Sequence, residues 1–124
     1  LKDFQPKYWF KKIIILKNFI IKLKNKPNGP LYFHYKKNII DLLNIFQNNE
    51  YIKYNINKNI NGKLQVNILD NKLKYISLIN NERISYKKLN TELYSYILYT
   101  SKGLLYHEDA IKFKVVGYII CKFY

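Results

Sequence analysis

Apolar positions recur with a helical period between Tyr8 and Lys24. Trp9, Ile13, Leu16, Phe19, Ile20 and Leu23 make a broad apolar face, while Lys7, Lys11, Asn18, Lys22 and Asn25 collect on the other side. Pro6 is well placed to open this helix. Lys26-Pro27-Asn28-Gly29-Pro30 breaks the pattern, and Leu31 to Tyr35 then reads as a short strand. Helical spacing returns over Lys36 to Gln47, with Ile39, Ile40, Leu43 and Phe46 on the buried side. That second helix starts without a strong capping residue and ends at Asn48-Asn49-Glu50.

From there the period changes to two. Ile52, Tyr54 and Ile56 alternate with Lys53, Asn55 and Asn57; Leu64, Val66 and Ile68 alternate with Lys63, Gln65 and Asn67. Asn61-Gly62 between the two runs is a preferred pair for a tight hairpin turn. Further strands are predicted at Lys74 to Ile79 and at Arg83 to Lys87, separated by Asn80-Asn81. In the last quarter, Ile97-Leu98-Tyr99 stops at Thr100-Ser101-Lys102-Gly103. A short amphipathic segment follows, then a second apolar run from Gly117 to Tyr124. That order predicts strand, tight polar turn, helix, strand. The expected fold class is α/β (α+β) in two contiguous halves. Residues 1–72 form a helix-strand-helix-strand-strand unit, and residues 73–124 a mainly β unit with a short helix. The boundary falls between Asp70 and Tyr75.

Composition narrows the picture. With 124 residues and 48% hydrophobic content, the chain is long and apolar enough to bury a core, which argues against general disorder. The net charge of +14 and a pI near 9.7 favour polyanions, either nucleic acid through counterion release or an acidic membrane surface. Nearly all of that charge is lysine, Arg83 being the single arginine. Lys, Asn, Ile and Tyr dominate, and all four have A- and T-rich codons, so an AT-rich genome supplies part of the charge by mutation alone. Cys121 is the single cysteine, which rules out an internal disulfide and fits a reducing compartment. Its apolar surroundings predict a buried, inert thiol. No methionine occurs, so Leu1 lies downstream of a missing start or is encoded at an unusual one, and no targeting pattern is read in the sequence. Lys11, Lys12, Lys17 and Lys22 interrupt the first helix, so no transmembrane segment is expected; the helix can lie on a membrane or pack on the protein body.

Candidate chemistry is sparse. His34 and His107 sit in different predicted elements. His107-Glu108-Asp109 invites a metal or acid–base reading, but consecutive helical positions fan apart, and acids in a first turn are explained by the helix dipole. Phosphate loops, dinucleotide fingerprints and nucleophile elbows are absent, so no enzyme, cofactor or small-molecule substrate is expected. The Thr100-Ser101-Lys102-Gly103 turn offers two hydroxyls, a cation and backbone N–H groups together, suited to phosphates and base edges. An ordinary solvated turn has the same composition.

Tyr99-Thr100-Ser101-Lys102-Gly103 and Val116-Gly117-Tyr118-Ile119-Ile120-Cys121 resemble, at matching separation, the C-terminal signature of the small-ribosomal-subunit protein eight family. In that family a Ser-Thr-Ser-Lys-Gly turn precedes a helix and a Gly-Gly-Glu-Ile-Ile-Cys strand. Tyr99 stands in place of a serine and Tyr118 in place of the glutamate. Ile84-Ser85-Tyr86-Lys87-Lys88 resembles the family's Arg-Ile-Tyr-Lys-Arg run. Lys37, Asn44 and the stretch from Phe46 to Ile52 fit its second helix and next strand. The segment from Lys88 to Tyr99 is shorter and lacks the family's Gly-Leu-Gly turn. The resemblance implies a structural ribosomal protein that binds the central domain of small-subunit rRNA, supports subunit assembly and translation, and touches neighbouring small-subunit proteins. It implies RNA contacts at Tyr99, Thr100, Ser101, Lys102, Gly103, Gly117, Tyr118, Tyr86, Lys87, Lys88 and Lys37. Together with the codon signature, it implies a mitochondrial ribosome, with a plastid second. Two other readings stay open: a basic membrane-surface protein anchored through residues 8–24, and a DNA-binding module using the Lys36 helix.

Overall fold

The computed structural model describes residues 6–25, 29–58, 63–79, 83–85 and 89–124. The fold is mixed α+β, and the chain divides into two compact units: Asn18–Leu73, and Leu1–Lys17 together with Lys74–Tyr124. Helix α1 (Pro6–Asn25) runs from one unit into the other at Lys17/Asn18. From Ile13 onward its apolar stripe is the one the periodicity predicts, while the side chain of Trp9 lies outside the described residues. Ile13, Leu16, Phe19, Ile20 and Leu23 are all at most 2% exposed, so this face is not available to solvent.

In the unit Asn18–Leu73, strands β1 (Gly29–His34), β2 (Ile52–Lys58) and β3 (Lys63–Asn71) form an antiparallel sheet in the order β1-β3-β2. Strand β1 starts two residues earlier than predicted and ends before Tyr35, so Pro30 lies inside a strand rather than in a breaker. The reason is its place in the sheet: among the described residues β1 pairs only with β3, and an edge position tolerates a missing N–H. Gly29, at φ +100°, supplies the left-handed backbone that turns the chain into the strand. Phe19 of α1 meets Phe33 of β1 edge to face at 5.2 Å. The expected Asn61-Gly62 turn lies outside the described residues.

Helix α2 (Lys37–Asn48) buries Ile39, Leu42, Leu43 and Phe46. Leu42 therefore takes the core place expected of Ile40, which is half-buried at the flank. As expected, Lys36 makes no side-chain cap at its start. Its end is a Schellman motif: the Glu50 N–H donates to Gln47 O (3.0 Å) and the Tyr51 N–H to Phe46 O (2.9 Å), with Glu50 at φ +65°.

In the other unit, β8 (Val116–Phe123) is the organising strand. On one side it pairs with β6 (Ser95–Thr100), and β6 pairs onward with β7 (Gly103–Tyr106). On its other side lie β4 (Ile76–Leu78) and β5 (Arg83–Ser85), the latter along the first half of β8. All six residues of β6 are buried. Helix α3 (His107–Phe113) presses Ala110 against Tyr96, Leu98 and Ile119. The predicted strand Lys74 to Ile79 narrows to β4. Of the predicted strand Arg83 to Lys87, β5 covers Arg83–Ser85; Tyr86, Lys87 and Lys88 lie outside the described residues.

One element departs from the predicted order. A strand, β7, stands between the polar turn and the helix. Leu104, Leu105 and Tyr106 pair back onto Tyr99, Leu98 and Ile97, and the helix begins only at His107. Three apolar residues in a row satisfy a strand as well as a helical turn, and the open edge of β6 decides in favour of pairing.

Candidate nucleic-acid interface

The β6–β7 register puts Thr100 opposite Gly103, so Ser101-Lys102 alone make the connection. Two-residue hairpins ordinarily place positive φ on the loop residues. Neither Ser101 nor Lys102 has it; the positive φ falls on Gly103, at +94°. Thr100 completes the turn from inside. Its Oγ1 donates to Gly103 O (3.0 Å) and accepts from the Lys102 N–H (3.1 Å). On its far side Thr100 faces Gly117 of β8, where a Cβ would come within 2.5 Å of Tyr99 O and 2.7 Å of Thr100 Cγ2. The strands meet so closely there that glycine alone fits.

This arrangement divides the predicted site residues by role. Thr100 is 1% exposed and its hydroxyl is engaged within the turn, so it is the organiser of the turn and not part of its outer surface. That corrects the expectation that its hydroxyl is offered to RNA. Ser101 and Lys102 are exposed. Gly103 and Gly117 act through backbone geometry. Tyr99 is buried, and Tyr118 lies opposite it on β8, one register position from the turn and half-buried. Lys37 belongs to the other unit, where its ammonium is 3.7 Å from Asp41 one helical turn on; so exposed a pair contributes little to stability.

Phe113, which the sequence did not single out, joins the exposed part of the turn. The Lys102 Nζ sits 5.0 Å from the centre of its ring. Phe113 closes α3 and is 47% exposed. Lys114 follows in the left-handed region at φ +53°. Its N–H donates to Ile111 O (3.2 Å) and the Val115 N–H to Ala110 O (3.2 Å), a second Schellman ending. Lys112 and Lys114 are both exposed, while the acids Glu108 and Asp109 lie in the first turn of the helix. The end of α3 nearest the hairpin is therefore cationic. The Lys-Phe-Lys run was visible in the sequence, but nothing local indicated that it meets Lys102.

The His107-Glu108-Asp109 triplet does fan apart. His107 is 7% exposed, whereas both acids face solvent. His107 Nδ1 accepts the Tyr96 N–H (3.2 Å), so the neutral ring carries its proton on Nε2. Burial lowers its pKa below the ordinary value, with Glu108 acting in the opposite sense. Cys121 is fully buried on β8, and burial pushes its thiol pKa far up, so it stays protonated. Among the described residues, no group of three His, Cys, Asp or Glu side chains is placed to hold a metal ion, and no helix is long and apolar enough to cross a membrane.

Compared with known proteins, the chain matches no family model and no curated sequence.

Proposed function

We propose that the chain is an RNA-binding structural constituent of the small ribosomal subunit, contacting the central domain of the small-subunit rRNA from the β6–β7 hairpin. The observation that carries this reading is the pairing of Thr100 with Gly117 and of Ile97 with Cys121. The two segments that resemble the ribosomal family are distant in sequence, and the resemblance requires them to work as one site; they lie side by side. Lysines supply the sequence-indifferent attraction to phosphate. The short rigid turn presents Ser101 and the Lys102 ammonium to a sugar, base edge or phosphate where the RNA is irregular. A mitochondrial ribosome, or a plastid one, is the setting the composition favours. The buried apolar face of α1 weighs against anchoring to a membrane surface through that helix.

Binding to a central-domain rRNA fragment at several salt concentrations tests the reading, with anionic liposome flotation run in parallel. Lys102→Ala is expected to lower the log–log salt slope by about one unit. Ser101→Ala is expected to weaken specific binding by about 1 kcal/mol at an unchanged slope. A chain that floats with liposomes and shows no preference for the rRNA fragment over duplex RNA of equal length overturns the proposal.

A further inference from the structure

We infer that Phe113 is a nucleobase-stacking residue, and that Lys102 and Phe113 together form a site for one unstacked nucleotide of a single-stranded RNA segment. The inference deepens the reading above and rests on it. Three observations carry it. Phe113 is a large apolar ring left 47% exposed at a helix end, on a helix that already buries Ala110 against the sheet. The ring has a cation over it at 5.0 Å, from the side chain at the tip of the hairpin. Lys112 and Lys114 flank it in sequence and are exposed, while the acids Glu108 and Asp109 lie in the opposite turn of α3.

An aromatic face with a lysine ammonium over it recognises a flat base joined to a phosphate. A neutral apolar partner seated on this ring would have to desolvate the Lys102 ammonium without pairing it, which disfavours a protein hydrophobic patch as the occupant. In the free protein the Lys102 ammonium covers the ring face electrostatically. A base arriving on that face displaces the flexible lysine, and the adjoining phosphate offers the displaced ammonium a stronger, charge-assisted contact.

The test uses the full chain and two probes of equal length: a twelve-nucleotide oligoadenylate, and the same ribose-phosphate polymer without bases. Phe113→Leu is expected to weaken oligoadenylate binding about tenfold, while changing binding of the abasic polymer by less than about twofold. Phe113→Tyr is expected to bind both probes like the parent. Thermal melting of each variant alongside the parent excludes misfolding as the cause. If Phe113→Leu binds both probes like the parent, the ring does not stack. If it loses equally on both, Phe113 merely props Lys102, and the inference is likewise overturned. Failure of the ribosomal reading looks different: the central-domain fragment is not preferred, yet the gap between oligoadenylate and abasic polymer persists and closes in Phe113→Leu.

Discussion

Gly117→Ala is the substitution for which the structure gives the most definite expectation. A Cβ at this position meets Tyr99 O at 2.5 Å and Thr100 Cγ2 at 2.7 Å, and neither neighbour can yield cheaply. The first is backbone in a fully buried strand with partners on both sides. The second is a β-branched side chain at 1% exposure, held by two hydrogen bonds. Overpacking of this kind costs about 1–3 kcal/mol, and two rigid neighbours put the expectation at the upper end, about 3 kcal/mol. For a chain of this size that is a fall in Tm of about 10 °C. Gly103 provides the control. A Cβ there meets nothing within 4 Å, so its demand for glycine comes only from φ +94°. Gly103→Ala is expected to cost about 1–2 kcal/mol, and Gly103→Asn less, because asparagine tolerates positive φ. At Gly117 the order reverses, since asparagine adds more atoms to the clash. Urea unfolding of the four variants reads this out through the midpoint at constant m-value. Gly117→Ala within about 0.5 kcal/mol of the parent, or asparagine better than alanine at Gly117, refutes the close-approach argument.

His107 has a folded pKa below its unfolded value of about 6.5, so its contribution to stability is complete above that pH. As the pH falls below about 6.5 stability is lost, levelling off beneath the folded pKa; His107→Asn, which keeps an acceptor for the Tyr96 N–H, should flatten that part of a stability–pH curve, and an unchanged curve sinks the assignment. Glu50→Gly and Lys114→Gly remove left-handed strain from two Schellman endings and should each stabilise by about 0.5–1 kcal/mol in denaturant titrations. Lys114→Gly should in addition lower the RNA salt slope by about one unit, which Glu50→Gly should not. Thr100→Val keeps the buried shape but leaves the Lys102 N–H and Gly103 O without their shared partner, at a cost of about 1–2 kcal/mol; Ser101→Ala should change stability by less than about 0.5 kcal/mol.

Much of this fold was legible wherever a single period ran for several turns. The stripe Ile13, Leu16, Phe19, Ile20, Leu23 could be read directly because its spacing keeps five apolar residues on one side, against the scattered Ile14 and Ile21 that stay exposed. In α2 the buried set Ile39, Leu42, Leu43, Phe46 follows the i, i+3, i+4, i+7 rule, and strict use of that spacing would have chosen Leu42 over Ile40. The strand β7 was not legible, because three apolar residues carry no period. Only the unpaired edge of β6 decides their conformation, and that edge is a tertiary fact. The chemistry of the turn was visible as a set of residue types. Which of them face outward was not: from sequence, Thr100 and Ser101 are interchangeable hydroxyls.

What separates them is the β6–β7 register, which pairs Thr100 with Gly103 and leaves Ser101 in the connection; a bulge then sets what Thr100 meets on β8. Along β6 and β8 the pairing runs Ser95 to Phe123, Tyr96 to Lys122 and Ile97 to Cys121, then shifts, so that Leu98 pairs with Ile119 and Ile120 is the extra residue. Without that shift Thr100 would lie opposite Tyr118. A tyrosine carries the Cβ that the crossing of these strands has no room for, so the turn could not close against β8 in its present form. With the shift, Gly117 arrives opposite Thr100, the strands approach, and the Thr100 hydroxyl is enclosed where it reaches only Gly103 O and the Lys102 N–H. Ser101 and Lys102 are then the residues left outside, and Lys102 comes to rest over Phe113. The β6–β7 register thus decides which hydroxyl builds the turn and which can meet a partner, and one extra residue in β8 decides that a glycine packs against the first. A period-two reading of Gly117 to Tyr124 has no means of locating such a bulge, because the residues on both sides of it are apolar.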